Sequence, residues 1–317
     1  MIDSTKSIDS KLQEIFSSSI DGVITSIKDL LSLNTDVSKT LSLLVDCHDR
    51  PIIVCALGKS GYIAAKFAAT LKSLDIKAEY LHASEALHGD LGSVNDNALV
   101  FLISHSGETG EVVSVAKESL TRGATCIGIT AHRHSSLGLV CHECFVLPVR
   151  ESVCRIGVAP MSSTTVSLVI CDAVANILAY SRDTNINSFR KNHPGGKLGR
   201  SLSPVTSHMK PLDNFIVMPT VSIFDVLSKM SGTGFVVVQG TKVDDDVGIF
   251  TDGDLRRVLE LELDVKVLSV GDYCSYSPLK VSKDMLVRDA EQLMDDGGVT
   301  SVLVSDHVGR VIGIYRK

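Results

Sequence analysis

The chain has 317 residues, 44% hydrophobic and 21% charged, the composition of a folded protein with room for two or three domains of about 150 residues. Against 31 Lys and Arg stand 37 Asp and Glu, a net charge of −6, so the broad basic face that a phosphate backbone demands is missing and nucleic acid is not an expected partner. The opening MIDSTKSIDSK is polar and no run reaches the ~18 uninterrupted apolar residues of a membrane span, so the expectation is a cytoplasmic chain with no membrane partner. Eight cysteines, several inside apolar runs (Cys55, Cys126, Cys171), read as free core thiols of a reducing compartment.

From Ser7 to Leu33 apolar residues recur at steps of three and four (Ile8, Leu12, Ile15, Phe16, Ile20, Val23, Ile24, Ile27, Leu30, Leu31), which predicts a long helix with one buried stripe. Four short apolar runs follow, PIIVCAL (51–57), NALVFLI (97–103), ATCIGIT (124–130) and CFVLPV (144–149), separated by helical patterns. Runs apolar on both faces and alternating with helices predict an α/β fold, a doubly wound parallel sheet. A helix from Ser162 to Tyr180 closes this core. After NHPGGKLGR (192–200) the prolines Pro204, Pro211 and Pro219 mark loops, so the first domain is expected over 1–203.

Downstream the chain repeats itself at about 65 residues. Asp225 to Met230 answers Asp289 to Met294, FVVVQ (235–239) answers SVLVS (301–305), and Val247 to Phe250 answers Ile312 to Tyr315. Each copy, 204–264 and 265–317, reads as helix, strand, turn, strand, a small α+β unit too slight to bury its own face, so the two copies should pair. The second copy stops at Lys317 without the aspartate-led helix that follows the strand in the first.

Chemistry concentrates where strands pass into helices. Gly58-Lys59-Ser60-Gly61 ends the first apolar run and opens a helix, an arrangement whose free N–H groups, amine and hydroxyl suit a phosphate or sugar phosphate, although the spacing is not that of a P-loop. Ser104-His105-Ser106-Gly107-Glu108-Thr109-Gly110-Glu111 repeats the device with the hydroxyls of Ser104, Ser106 and Thr109. In an open doubly wound sheet both loops lie at the ligand-binding edge. Between them His82, Glu85, His88 and Asp90 read either as acid/base or metal-binding groups or as a solvated loop. Glu151 and His193 are further loop candidates for proton transfer. His132, His134, Cys141, His142 and Cys144 imitate a zinc ribbon, but no second cysteine pair matches Cys141 and Cys144, and a helix start followed by a strand is the better reading. Thr251, Asp252 and Asp254 suit either ribose hydroxyls or a helix N-cap.

Taken together, LGKSG, HGDLG, ISHSGETGE, RESVCRIGVAPMSSTT, NHPGGKLGR and GIFTDGDLRR make the chain, from about residue 50 to its end, resemble the arabinose-5-phosphate isomerases, in which a sugar-isomerase (SIS) domain precedes a pair of CBS repeats. The resemblance implies interconversion of D-ribulose 5-phosphate and D-arabinose 5-phosphate for the Kdo sugar of lipopolysaccharide, by a homotetramer that needs no organic cofactor. It implies Lys59, Glu111, Glu151 and His193 as the catalytic set, substrate contacts at His82, His88, Gly58, Ser60, Gly61, Ser104, Ser106, Gly107 and Thr109, and inhibitory, dispensable zinc at His82. It also implies a nucleotide at the repeats through Thr251, Asp252 and Asp254. Ala56 replaces a glycine usual in the family and Tyr62 a histidine, both expected at the pocket rim. Two rival readings remain at this stage: a non-catalytic sugar-phosphate sensor, and an isomerase of a different phosphosugar.

Overall fold

The computed structural model describes residues 4–33, 37–151, 153–212, 215–240 and 247–317. Contacts divide it into two compact units, Met1–Asn192 and His193–Lys317. The segment from His193 to Ser203, expected with the first domain, falls with the second unit: Ser203 O accepts from Val287 N at 2.9 Å and Arg200 Nη2 donates to Tyr315 Oη at 3.4 Å.

The first unit opens with α1 (Ser4–Leu33) and α2 (Ser38–Asp46) and then winds β1 (Ile52–Ala56), α3 (Gly58–Ser73), β2 (Ala78–His82), α4 (Ala83–Ala86), β3 (Leu99–Ile103), α5 (Gly110–Thr121), β4 (Thr125–Thr130), α6 (Ser136–Val140), β5 (Glu143–Val146), α7 (Ser162–Ser181) and α8 (Ile186–Lys191). The five strands are all parallel, in the order β2-β1-β3-β4-β5. The double winding follows from the strand sequences. In β1, Ile52, Val54 and Ala56 face a core shared with α3 and α7, while Ile53 and Cys55 face a second core shared with α5. In β3, Leu99, Phe101 and Ile103 join the first core and Val100 and Leu102 the second. A strand apolar on both sides can be covered only by helices above and below.

β2 and α2 escape the sequence reading. AEYLH is an edge strand in which only Leu81 is buried, so it shows no apolar run, and SKTLSLLVD is short, with Thr40 and Leu44 its buried residues. The opening helix is present, but its stripe is not buried within the chain as expected. Leu30 and Ser26 pack inside, whereas Leu12, Phe16 and Ile20 are 58%, 69% and 47% exposed. One chain offers a partner surface only to the C-terminal half of α1, where α7 lies against it. α7 is long and apolar enough to cross a membrane by length and composition, yet Val166, Ile170, Val174 and Leu178 place its face in the first core.

The second unit contains α9 (Gly196–Ser201), β6 (Lys210–Pro211), β7 (Ile216–Val217), α10 (Ile223–Met230), β8 (Phe235–Val238), β9 (Gly248–Thr251), α11 (Asp252–Glu260), α12 (Val270–Tyr273), β10 (Lys280–Ser282), α13 (Val287–Asp296), β11 (Ser301–Ser305) and β12 (Val311–Arg316). The repeats form two sheets, β7-β8-β9 and β10-β11-β12-β6, and in each the first strand runs parallel to the hairpin that follows. Period-two alternation does the rest: Val236 and Val238 face α10, while Phe235 and Val237 meet Leu303 and Ile314 of the other repeat. The copies do pair, as their small individual cores require.

Phe101 of β3 meets Phe67 of α3 edge to face at 5.3 Å, both fully buried. Phe101→Ala should therefore cost about 3–5 kcal/mol, lost transfer energy plus a cavity. Denaturant unfolding monitored by circular dichroism checks this; a loss below about 1 kcal/mol would show that this contact does not anchor α3 to the sheet.

Candidate active site

With the order β2-β1-β3-β4-β5, the chain leaves β1 toward one neighbour and β3 toward the other, and α3 and α5 depart to opposite faces. A crevice opens there beyond the strand ends. It holds a cavity of about 260 Å³ lined by Leu57, Lys59 and Ser60 after β1, by Ser104, His105, Ser106 and Thr109 after β3, and by Pro160 ahead of α7. Gly58 and Gly61 lie in the first turn of α3, the latter buried. The structure thus brings Lys59, Ser60, Ser104, Ser106 and Thr109 into one cleft, with backbone N–H groups of two helix starts beside them, a setting suited to a phosphate dianion.

The second loop is held by its own hydroxyls. Ser104 Oγ lies 2.8 Å from Thr109 Oγ1 and accepts from Gly107 N at 3.1 Å, and Ser106 Oγ accepts from Glu108 N at 3.2 Å. Gly107, buried, has φ +69°, and a Cβ there would collide with Ser135 and lie 2.7 Å from Thr130 Oγ1. From outside, α6 braces the loop: Leu137 N donates to Gly107 O at 2.9 Å, and Ser136 donates to the Glu108 carboxylate from N at 2.8 Å and from Oγ at 2.6 Å. Those bonds hold the Glu108 carboxyl below the usual carboxylate range.

Glu111 sits exposed in the first turn of α5, next to the Thr109 corner of the cleft. Glu151 is half-buried and anchored ten residues onward: its carboxylate accepts from Met161 N at 3.0 Å, Ser162 N at 2.9 Å and Ser163 N at 3.2 Å, backbone donors at the α7 N-terminus. That places Glu151 beside Pro160, a wall of the cleft. His82 ends β2 opposite Ala56 in register, and its buried Nδ1 lacks a hydrogen-bond partner. His88 is exposed in the turn after α4, its N–H bonded to Glu85 O at 2.9 Å. No group of three or more His, Cys, Asp or Glu with metal-holding geometry occurs among the described residues, so His82, Glu85 and His88 do not form a zinc cage. Ala56 is fully buried and Tyr62 is 79% exposed. His193 belongs to the second unit.

The zinc-ribbon imitation resolves as expected into α6 and β5, and His142 Nδ1 accepts from Cys126 N at 3.1 Å. All eight cysteines are unpaired. In the second unit Asp254, 7% exposed, caps α11 by accepting from Thr251 N at 2.7 Å and from Thr251 Oγ1 at 2.6 Å, and it also binds Arg257. Thr251, Asp252 and Asp254 thus form a built capping box, and they also line a cleft of about 470 Å³ with Ser277, Thr300 and Arg316. The sequence reading passed over His105, Pro160 and the Glu108 brace. His105 stood inside a recognised turn, but only the partners of Pro160 and Glu108, distant in sequence, reveal their use.

Gly107→Ala should weaken phosphate-ester binding about tenfold, since it forces an L side chain into a left-handed backbone and displaces Ser135 from the loop. Calorimetric titration with a pentose 5-phosphate reads this; unchanged affinity would show that the loop does not hold the phosphate.

Residues 44–177 match the SIS domain family model and residues 270–317 the CBS domain model. Over 281 residues the chain is 33% identical to the arabinose 5-phosphate isomerase KdsD of Yersinia pestis, covering 86% of this chain and 84% of that one. Over 262 residues it is 36% identical to KdsD of Escherichia coli strain K12, covering 80% and 79%. The solved structure of E. coli CFT073 c3406 in complex with arabinose 5-phosphate matches at TM-score 0.55 and 31% identity, over 58% of this chain and 98% of that one. Parallel sheet, switch-point cleft, paired repeats and these likenesses over most of the length agree, and the chain belongs to the arabinose 5-phosphate isomerase family.

Proposed function

We propose that the cleft interconverts D-ribulose 5-phosphate and D-arabinose 5-phosphate through an enediol, for Kdo and lipopolysaccharide synthesis. The convergence of Lys59, Ser60, Ser104, Ser106 and Thr109 on one cleft at the β1/β3 switch point, in a chain of this family, carries the reading. Moving a proton between C1 and C2 needs a base near both carbons and a donor to the developing oxyanion. Lys59 supplies the positive charge, Glu111 or Glu151 the base, and His193 or His88 the hydroxyl proton. Glu151 is fixed by three backbone donors and retains a lone pair for a proton; Glu111, exposed at the head of α5, is unencumbered. The exposed stripe of α1 supports assembly into a homotetramer, and the free thiols support a cytoplasmic setting. The cleft of the repeats supports nucleotide binding through Thr251, Asp252 and Asp254, and the repeats serve regulation or structure.

Turnover in D2O should place deuterium on the product carbon, because the abstracted proton rests on an exchangeable carboxyl. Glu111→Gln and Glu151→Gln keep size but remove basicity, so the one that supplies the base should lose ~10²-fold or more in kcat while still binding phosphosugar. Unlabelled product together with near-normal rates in both variants would overturn the scheme. Binding of D-arabinose 5-phosphate with no turnover would favour the sensor reading.

No resident metal is assigned to this proton transfer; zinc at His82 acts as a blocker. Added zinc should inhibit and EDTA should leave the rate unchanged or raise it. Loss of activity with EDTA, restored by zinc, would make the metal a cofactor.

A further inference from the structure

Cys141 and Cys144 play no part in the isomerase scheme, yet they share one site. β4 sets Gly128 opposite Cys144, and a Cβ on Gly128 would lie 2.7 Å from Cys144 Sγ and 3.4 Å from Cys141 Sγ. The bare α-carbon leaves a niche that both sulfurs occupy. There the Cys144 thiol donates to Gly138 O at 3.9 Å, with the Cys141 thiol beside it. Pairing with Cys141 lowers the Cys144 thiol below its usual range against the opposing effect of burial, whereas the same pairing and burial raise Cys141. Cys55, Cys126 and Cys171 differ, for burial is the main cause that pushes each to about 12 and leaves it inert.

Both residues are 9% exposed or less, and the way in is α6, five residues long, with Leu139 71% exposed. So short a helix opens readily. Cys141 N closes its C-terminal end on Leu137 O at 3.0 Å, while its N-terminal end braces the phosphate loop through Leu137 N on Gly107 O and Ser136 on Glu108.

We propose that Cys141 and Cys144 are a dithiol modification site, closed to an intramolecular disulfide by exchange with a low-molecular-weight disulfide, and that closure weakens phosphosugar binding through α6. The Cys144 thiolate attacks one sulfur of RSSR, breaking its S–S bond and releasing RS−, which takes up a proton. Cys141 gives up its proton and attacks the Cys144 sulfur of the mixed disulfide, expelling the second RSH. The two cysteines lose two electrons and RSSR gains them, with two RSH as the product.

The test uses the full chain exposed to oxidised glutathione, capped with iodoacetamide and digested with trypsin. Cleavage after Arg133 and Arg150 releases residues 134–150, which hold both cysteines and no internal Lys or Arg. The expected peptide is two hydrogens lighter, without adduct, and reverts with dithiothreitol. Two alkylated thiols, or a glutathione adduct that never closes, under conditions that modify the partly exposed thiol of Cys154 would overturn the site. The coupling to the cleft rests on the phosphosugar reading and is measured by calorimetry with D-arabinose 5-phosphate, which needs no turnover. Affinity should fall about threefold or more on oxidation, and Cys141→Ser should abolish that response. Unchanged affinity in the oxidised protein would overturn the coupling, and absence of binding in the reduced protein would instead refute the phosphosugar reading, leaving the disulfide result intact.

Discussion

The site depends on one topological constraint, the reversal of winding between β1 and β3. Because β1 is flanked by β2 on one side and β3 on the other, the connections after β1 and β3 must leave in opposite directions and cover opposite faces of the sheet. Two loops that would otherwise lie side by side are pulled apart at their bases, and the space between them becomes the cleft. Each loop ends in a helix start, so the unpaired N–H groups of α3 and α5 both border that space. Each helix terminus contributes about 0.3–1 kcal/mol toward an anion at an exposed site. Lys59 adds a mobile charge and the serines add orientation.

The sheet beneath is rigid for a plain reason. β1, β3 and β4 are buried on both faces, between α3 and α7 on one side and α5 on the other. The loops above it lack such packing and are held by polar bonds instead. Two carboxylates carry much of this: Glu108 ties its loop to the start of α6, and Glu151 commits three acceptor positions to the start of α7. A carboxylate held by backbone donors is a fixed point, so Glu151 is oriented by the start of α7, while Glu111 stands exposed in the first turn of α5.

The second unit applies a different solution to a smaller core. Each repeat has too few apolar residues to cover both faces of its sheet, and pairing closes the gap through Phe235, Val237, Leu303 and Ile314. β6, near the start of the first copy, completes the sheet of the second by pairing with β12, so the repeats are interlocked by connectivity as well as by packing. The cleft beside Thr251 and Asp254 is lined from both copies, with Ser277, Thr300 and Arg316 on the side of the second. Asp254 is committed there to capping α11 and to Arg257, and Asp252 pairs with Arg316 at 3.8 Å.

Much of this was legible in the residues alone. Continuous apolar runs such as LVFLI announce strands buried on both sides, glycine and hydroxyl clusters announce strand-to-helix turns, and the repeat announces the second unit, because each is a local property of composition and period. Cys141 and Cys144 could likewise be set aside as a zinc site, since spacing alone denied them partners. Other features belong to no local window. β2 is an edge strand, half wet, and its alternation is too weak to read; the stripe of α1 is visible but its burial depends on a surface that one chain does not supply. Glu151 reads as a loop acid until α7 is folded against it, and Gly128 reads as an interruption in a strand until two sulfurs occupy its missing side chain. Sequence determines which segments become strands and helices through the burial of their own residues. Which strand neighbours which, and so which loops meet, is decided only when backbone pairing and core packing between distant segments are satisfied together, and the cleft is a consequence of that second step.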